Sequence, residues 1–345
     1  MNDLLSVIRD VTERYRGAGY FPSACVRVFD REKTLAVYCT EGVQEESLFD
    51  VASLTKIATA TMVLLWAEEG IIALDDTMER LFPEIAEDEY LKTRLEGVTL
   101  HQLLTHTATI TPWFPFYVLK GEDFWDVFRH ALKITPRVEG MEYSDLNFML
   151  LGKLCERLGG LPLEECLQKQ LVEKLSLGQM LYRPSLDKNI IPSCFDNQIE
   201  MDMCRERNLT FEGFRPLHTP VFGTVNDGNA HYFFDDVAGH AGIFANAEAY
   251  ERLCRFYMNS TLPLLQKAQL EQPGAPTRGL GLQTGLPYPH GCGHTGFTGT
   301  SIYFSTEYNI GVVAFTNRLY YDHKNPNMTG DFRRALHEAV FAAAR

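Results

Sequence analysis

Ser53-Leu54-Thr55-Lys56 places a serine and a lysine three residues apart at the head of an apolar run. Phe49, Val51 and Ala52 precede the serine, and Ile57, Ala58, Ala60, Met62, Val63, Leu64 and Leu65 follow it. The run predicts a buried helix over 53–69, stopped by Gly70. Helix positions i and i+3 share a face, so a hydroxyl and an amine at this spacing can meet. A serine hydroxyl is a weak nucleophile until a base lies within hydrogen-bond reach. A lysine is that base only where desolvation or nearby positive charge lowers its pKa. The apolar neighbours supply desolvation. By itself the tetrapeptide also fits a helix cap followed by a solvated lysine, so the rest of the chain must decide.

The 345 residues are enough for one large domain or two closely joined ones. A composition of 45% hydrophobic and 22% charged residues can bury a core, which excludes a disordered chain. A net charge of −13 argues against general binding to nucleic acid or anionic membranes. No run reaches the roughly 18 apolar residues of a membrane span. Residues 1–10 lack the features of a secretory signal, so a cytoplasmic protein is expected. Eight cysteines without a C-x-x-C pair read as free core thiols of a reducing compartment. Oligomeric state is not legible.

Leu4, Ile8, Val11 and Tyr15 predict an amphipathic helix over 3–17. Residues 23–29 and 34–39 are β-rich runs joined by the polar turn 30–33, a hairpin. Helices are expected at 100–105, 122–132, 144–158 and 163–174, and 176–236 reads as irregular. Strands return at 300–305 and 310–316, and Phe332, Leu336, Val340 and Ala343 mark a closing helix. The fold class is α+β: an antiparallel sheet flanked by the N- and C-terminal helices, with a helical insertion. Residues 1–52 and 240–345 would form a discontinuous sheet domain, and 53–239 a mostly helical one.

Three further segments accompany the serine. Tyr143-Ser144-Asp145 sets a tyrosine before a helix that Ser144 can cap. His294-Thr295-Gly296-Phe297 leads into the last strand pair, where a glycine admits close backbone approach and amides can face an oxyanion. His106 and His240, in Leu103–Thr107 and Ala238–Gly242, read as structural supports. Pro112–Tyr117 is an aromatic loop that suits either a cleft wall or interior packing.

In this order, the segments resemble those of the serine β-lactamase and penicillin-binding-protein superfamily, over about residues 20–318. Phe49–Lys56 resembles the family's serine motif, Tyr143–Asp145 its Tyr-x-Asn motif, and His294–Gly296 its Lys-Thr-Gly motif. The branch most resembled is class C-like, with esterases, D-amino-acid peptidases and penicillin-binding hydrolases. The resemblance implies a β-lactamase-like fold, Ser53 as acylated nucleophile, and Lys56 and Tyr143 as shared general base and acid. It also implies an oxyanion hole at the Ser53 and Phe297 amides, with Asp145, His294, Thr295 and Gly296 around the substrate.

Two positions depart from that pattern. Asp145 stands where asparagine is common, and could pair with Lys56 and hold it charged. His294 stands where lysine is common, and at a reference pKa near 6.5 it is mostly neutral at pH 7. Were it to hold a carboxylate only when protonated, affinity would improve from pH 8 to pH 6. Both departures point away from a dedicated β-lactamase, towards hydrolysis of a small ester, amide or D-peptide. A sensor-like member that acylates without efficient turnover is the alternative. His290, Cys292 and His294 could present metal ligands, but no second cluster accompanies them, so neither metal nor other cofactor is expected.

Overall fold

The computed structural model describes residues 3–320 and 328–345. Helix α1 (Leu4–Gly17) opens the chain, its Asp3 cap accepting from the Leu5 amide. Strands β1 (Ala24–Phe29), β2 (Thr34–Cys39) and β3 (Phe49–Asp50) follow, then helix α2 (Thr55–Glu68). Later come β4 (Met180–Leu181), β5 (Phe244–Ala245), β6 (Gln283–Thr284), β7 (Cys292–Thr295), β8 (Ser301–Ser305) and β9 (Ile310–Thr316). Helix Met328–Ala343 closes the chain and packs on α1.

Six strands form one antiparallel sheet in the order β2-β1-β9-β8-β7-β6. The two ends of the chain meet in it, because β1 pairs with β9 from Ala24↔Thr316 to Phe29↔Gly311. Strand side chains alternate between faces. Ala24, Val26 and Val28, with Ile310, Val312 and Ala314, pack against Ile8, Phe332, Leu336 and Val340 of the terminal helices. Cys25, Phe29, Val313 and Phe315 face the other way, into the main core with α2. The expected sheet, covered by the two terminal helices, is therefore present. β3, β5 and β4 make a separate three-stranded sheet.

Every residue of α2 from Thr55 to Trp66 is buried, as a helix apolar on all sides requires. Its threonines are bonded. Thr59 Oγ1 donates to Gly239 O at 2.8 Å, and Thr61 Oγ1 to Ile57 O at 2.6 Å. Burying Ile57, Met62, Val63 and Leu64 contributes roughly 1.5–3 kcal/mol apiece. Together they outweigh the several kcal/mol it costs to bury the one ammonium on this helix.

The helix expected over 122–132 runs from Phe124 to Ile134, displaced because Asp123 caps it through the Trp125 amide. The helix expected over 163–174 widens into a π-helical stretch at Leu167–Val172. The irregular 176–236 segment contains helix Gln198–Glu206, anchored where Cys204 packs with Tyr117 and Tyr232. All eight cysteines are free. No helix among the described residues is long and apolar enough to cross a membrane.

Candidate active site

Ser53 lies outside the α-helix, in a 3₁₀ turn at Ala52–Leu54. The chain turns there because Ala52 takes φ 48°, a left-handed conformation rare for a residue with a side chain. Such strain costs about 1–3 kcal/mol and persists only where the surroundings over-determine it. Asp50 does much of this. Its Oδ1 accepts from Ala52 N at 2.9 Å and its Oδ2 from Asn226 N at 2.7 Å. Burial lifts the Asp50 carboxyl to about 6 against the opposing pull of those amides. The β7–β8 turn clamps the other side. Thr298 Oγ1 donates to Asp50 O at 2.7 Å, and Thr300 Oγ1 to Val51 O at 2.9 Å. A Cβ on Gly296 would sit 2.1 Å from Thr300 Oγ1 and 2.5 Å from Val51 O, so glycine lets the two segments close.

Lys56, on the first turn of α2, is fully buried. Its Nζ lies 2.7 Å from Asp145 Oδ1, and donates to His240 O at 3.0 Å and Ser53 Oγ at 3.1 Å. An ammonium has three donors and no acceptor, and here each donor has a partner. Burial pulls the Lys56 pKa down, but Asp145, with Tyr143, more than offsets it and leaves it above the usual lysine value. The Lys56–Asp145 pair anticipated from the sequence is thus in place, and it favours the charged form of Lys56. His240 O reaches it because Gly239 and Gly152 pack back to back. A Cβ on Gly239 would lie 2.7 Å from Gly152 Cα.

Tyr143 and Asp145 flank Ser144, which caps helix Asp145–Gly159 through the Asn147 amide. Ser144 Oγ donates to Thr111 O, and the Asp145 amide to Pro112 O. The aromatic loop therefore grips this turn, while Phe116 packs inward with Phe124, Phe233 and Phe234. His106 supports the same turn, accepting from Ser144 N through Nδ1 at 3.0 Å, its ring 4.6 Å from that of Tyr143. Lys56 Nζ stands 4.9 Å from the Tyr143 ring centroid. The Tyr143 hydroxyl is buried with no well-formed hydrogen bond among the described residues. Burial raises its pKa, while the nearby Lys56 charge pulls it down.

His294, on β7, is buried 6.0 Å from Tyr143, ring to ring. Its Nδ1 is 2.9 Å from Thr295 O, and its Nε2 has no partner among the described residues. Burial, helped by the charges of Arg278 and Lys56, pushes its pKa well below 6.5. Burial beside two cations thus works against the protonated His294 that carboxylate binding of this kind would need. Thr295 ends β7 opposite Ser301. Phe297, at the tip of the turn, is 42% exposed beneath the Arg318 guanidinium.

His290 stacks on Phe341 and packs against Tyr308. No cluster of three or more His, Cys, Asp or Glu placed to share a metal ion occurs among the described residues. Asp50, Asp227 and Arg278 were not singled out from the sequence. Asp227 Oδ1 meets His240 Nε2 at 3.0 Å. Arg278 lies 5.2 Å from the Tyr143 ring centroid.

A profile of the β-lactamase family matches residues 8–333, and the chain belongs to that family, whose members are serine hydrolases of the β-lactamase and penicillin-binding kind. It is 31% identical over 322 residues to a Bacillus subtilis (strain 168) protein named N-acetylmuramyl-L-alanine amidase, covering 83% of this chain and 72% of that one. Two solved structures share the fold at a TM-score of 0.73 and 16% identity. One is EstCE1, a hydrolase with promiscuous acyltransferase activity, matched over 98% of both chains. The other is a class C β-lactamase, matched over 99% of this chain and 98% of that one.

Proposed function

We propose that the chain is a metal-independent serine amidase that cleaves through an acyl-enzyme on Ser53. The observation that carries this is the 3.1 Å contact between Ser53 Oγ and Lys56 Nζ, with the buried Tyr143 hydroxyl within reach of both. Because Lys56 already directs all three donors, the site favours Tyr143 as the group that accepts the Ser53 proton, with the Lys56 charge favouring the phenolate. Ser53 Oγ attacks the substrate carbonyl, and the developing oxyanion faces the Ser53 and Phe297 amides. Collapse breaks the C–N bond, and Tyr143 returns the proton to the departing amine. Water then attacks the Ser53 ester by the reverse sequence. One oxyanion donor is worth roughly 10²–10³ in rate.

The amidase relative supports an amide joining an N-acetylmuramyl group to L-alanine as the substrate. The test is release of free amine from N-acetylmuramyl-L-alanine, with mass analysis of the protein before and after fluorophosphonate treatment. Release that disappears in folded Ser53→Ala, and a mass adduct mapped to Ser53, are expected. Full activity in folded Ser53→Ala ends the reading. A long-lived penicillin adduct on Ser53 without amine release favours the sensor alternative.

A further inference from the structure

Cys25 and Cys39 stand directly opposite each other on β1 and β2, with their sulfurs 2.9 Å apart. Thr40 N donates to Ala24 O at 2.9 Å, so the ladder bonds flank the cysteines and leave them as a non-hydrogen-bonded pair. In such a pair the Cα atoms are about 4.5 Å apart and the side chains lie close together. A disulfide spans roughly 4.4–6.8 Å between Cα atoms, so joining these sulfurs asks little of the backbone. Strand β2 is an edge of the six-stranded sheet, with β1 as its one neighbour in it.

The two thiols are not equivalent. Cys39 is half-buried, whereas the other seven cysteines are buried. A Cys25 thiol can donate to a Cys39 thiolate. That bond lowers the Cys39 pKa from the usual thiol value, helped by the Arg27 guanidinium and opposed by burial and by Glu45 and Glu46. The same bond, with burial, pushes Cys25 well above it. Burial raises the remaining thiols. A thiolate is the attacking species in disulfide exchange, and it must also be reachable. Of the eight cysteines, only Cys39 combines a lowered pKa with partial exposure, and its partner is already in place.

We infer that Cys25 and Cys39 form a thiol–disulfide exchange site, at which a low-molecular-weight disulfide converts the pair into a cross-strand disulfide, with Cys39 attacking and Cys25 resolving. The Cys39 thiolate attacks one sulfur of the reagent R–S–S–R, whose S–S bond breaks and whose other sulfur leaves as RS⁻ with the electron pair. Cys25 then gives its proton to solvent and attacks Cys39 Sγ, expelling the second RS⁻. The two cysteines lose two electrons and two protons, and the reagent gains them as two thiols. The product ties the edge strand β2 covalently to β1. Neither cysteine takes part in the proposed acyl transfer, so the inference stands apart from that reading.

The test equilibrates the folded protein with excess oxidised glutathione, blocks remaining thiols under denaturing conditions, and maps the digest by mass without reduction. A Cys25–Cys39 cross-linked peptide is expected in the unmodified protein. In Cys25→Ser the resolving step is lost, and a glutathione adduct should accumulate on Cys39, roughly tenfold or more faster than on any other cysteine, as its thiolate character and access require. In Cys39→Ser no adduct should form on Cys25. Near-ultraviolet circular dichroism checks that each variant is folded, and the unmodified protein supplies a result that needs no variant. Both thiols remaining free at equilibrium in the unmodified protein overturns the inference. So does a folded Cys25→Ser protein that takes up glutathione elsewhere but not on Cys39.

Discussion

Lys56 Nζ stands 2.7 Å from Asp145 Oδ1 in a place where Lys56 is fully buried. That contact favours the charged form of Lys56. Without it, burial would favour a neutral amine. With it, the ammonium persists, and its other two donors go to the His240 carbonyl and the nucleophile.

Replacing Asp145 with Asn removes the partner that holds Lys56 charged. Burial, the largest influence on Lys56, then lowers its pKa. The alkaline limb of the pH–kcat/KM profile, set by loss of the Lys56 charge, should therefore move to lower pH, with activity at pH 9 falling relative to pH 6. A limb that stays in place, read with a neutral aryl ester, would show that Asp145 does not set the charge.

Lys56→Ala and Tyr143→Phe should each lower kcat by roughly 10²–10⁴. Made together they should cost much less than the product of the two, since both act on one proton transfer. Stopped-flow acylation by an aryl ester separates this step from deacylation. Fully multiplicative losses would mean that the two side chains act in different steps.

Affinity for carboxylate substrates should be flat from pH 8 to pH 6. His294 is depressed well below 6.5 and takes up no proton in that window. The measurement is KM for 3-acetoxybenzoate across the range, normalised to its methyl ester. A normalised KM that falls tenfold towards pH 6 would assign carboxylate binding to a protonated His294.

His337 bears on stability rather than catalysis. It is buried under the sheet, with its Nδ1 3.1 Å from Pro287 O and its ring near Tyr288 and Tyr303. Burial lowers its pKa from 6.5 to about 4. The unfolded chain therefore binds a proton that the native state refuses, and stability present above pH 6.5 is lost as pH falls towards 4. Between pH 7 and 5 this group alone accounts for about 2 kcal/mol. Urea unfolding of His337→Phe should lose that share of its pH dependence, whatever its baseline. Parallel curves for the two proteins would refute the assignment.

Much of the fold was legible in the sequence, because it depends on periodicity. The β-rich runs at 23–29 and 310–316 predict strands, and the unbroken apolar run after Ser53 predicts a helix through the core. The meeting of the two ends in one sheet follows from short strands with a helix at each terminus. What periodicity cannot report is a strand too short to repeat: β6 and β7 carry only six residues between them, among glycine, cysteine and histidine.

The site divides in the same way. Ser53, Lys56, Tyr143, Asp145 and His294 could be named because each sits in a local motif with its own spacing. Tertiary structure decided their state. Asp145 is 89 residues beyond Lys56 in the chain, and only the packing of Gly152 on Gly239 brings its helix, with the His240 carbonyl, to the ammonium. Asp50 and Arg278 carry no motif at all. One matters because it accepts from the amide of a strained alanine, the other because its buried Nε and Nη1 find no acceptor among the described residues. Charge, burial and hydrogen-bond satisfaction are properties of a surrounding volume, and residues distant in sequence fill that volume only after the chain has folded.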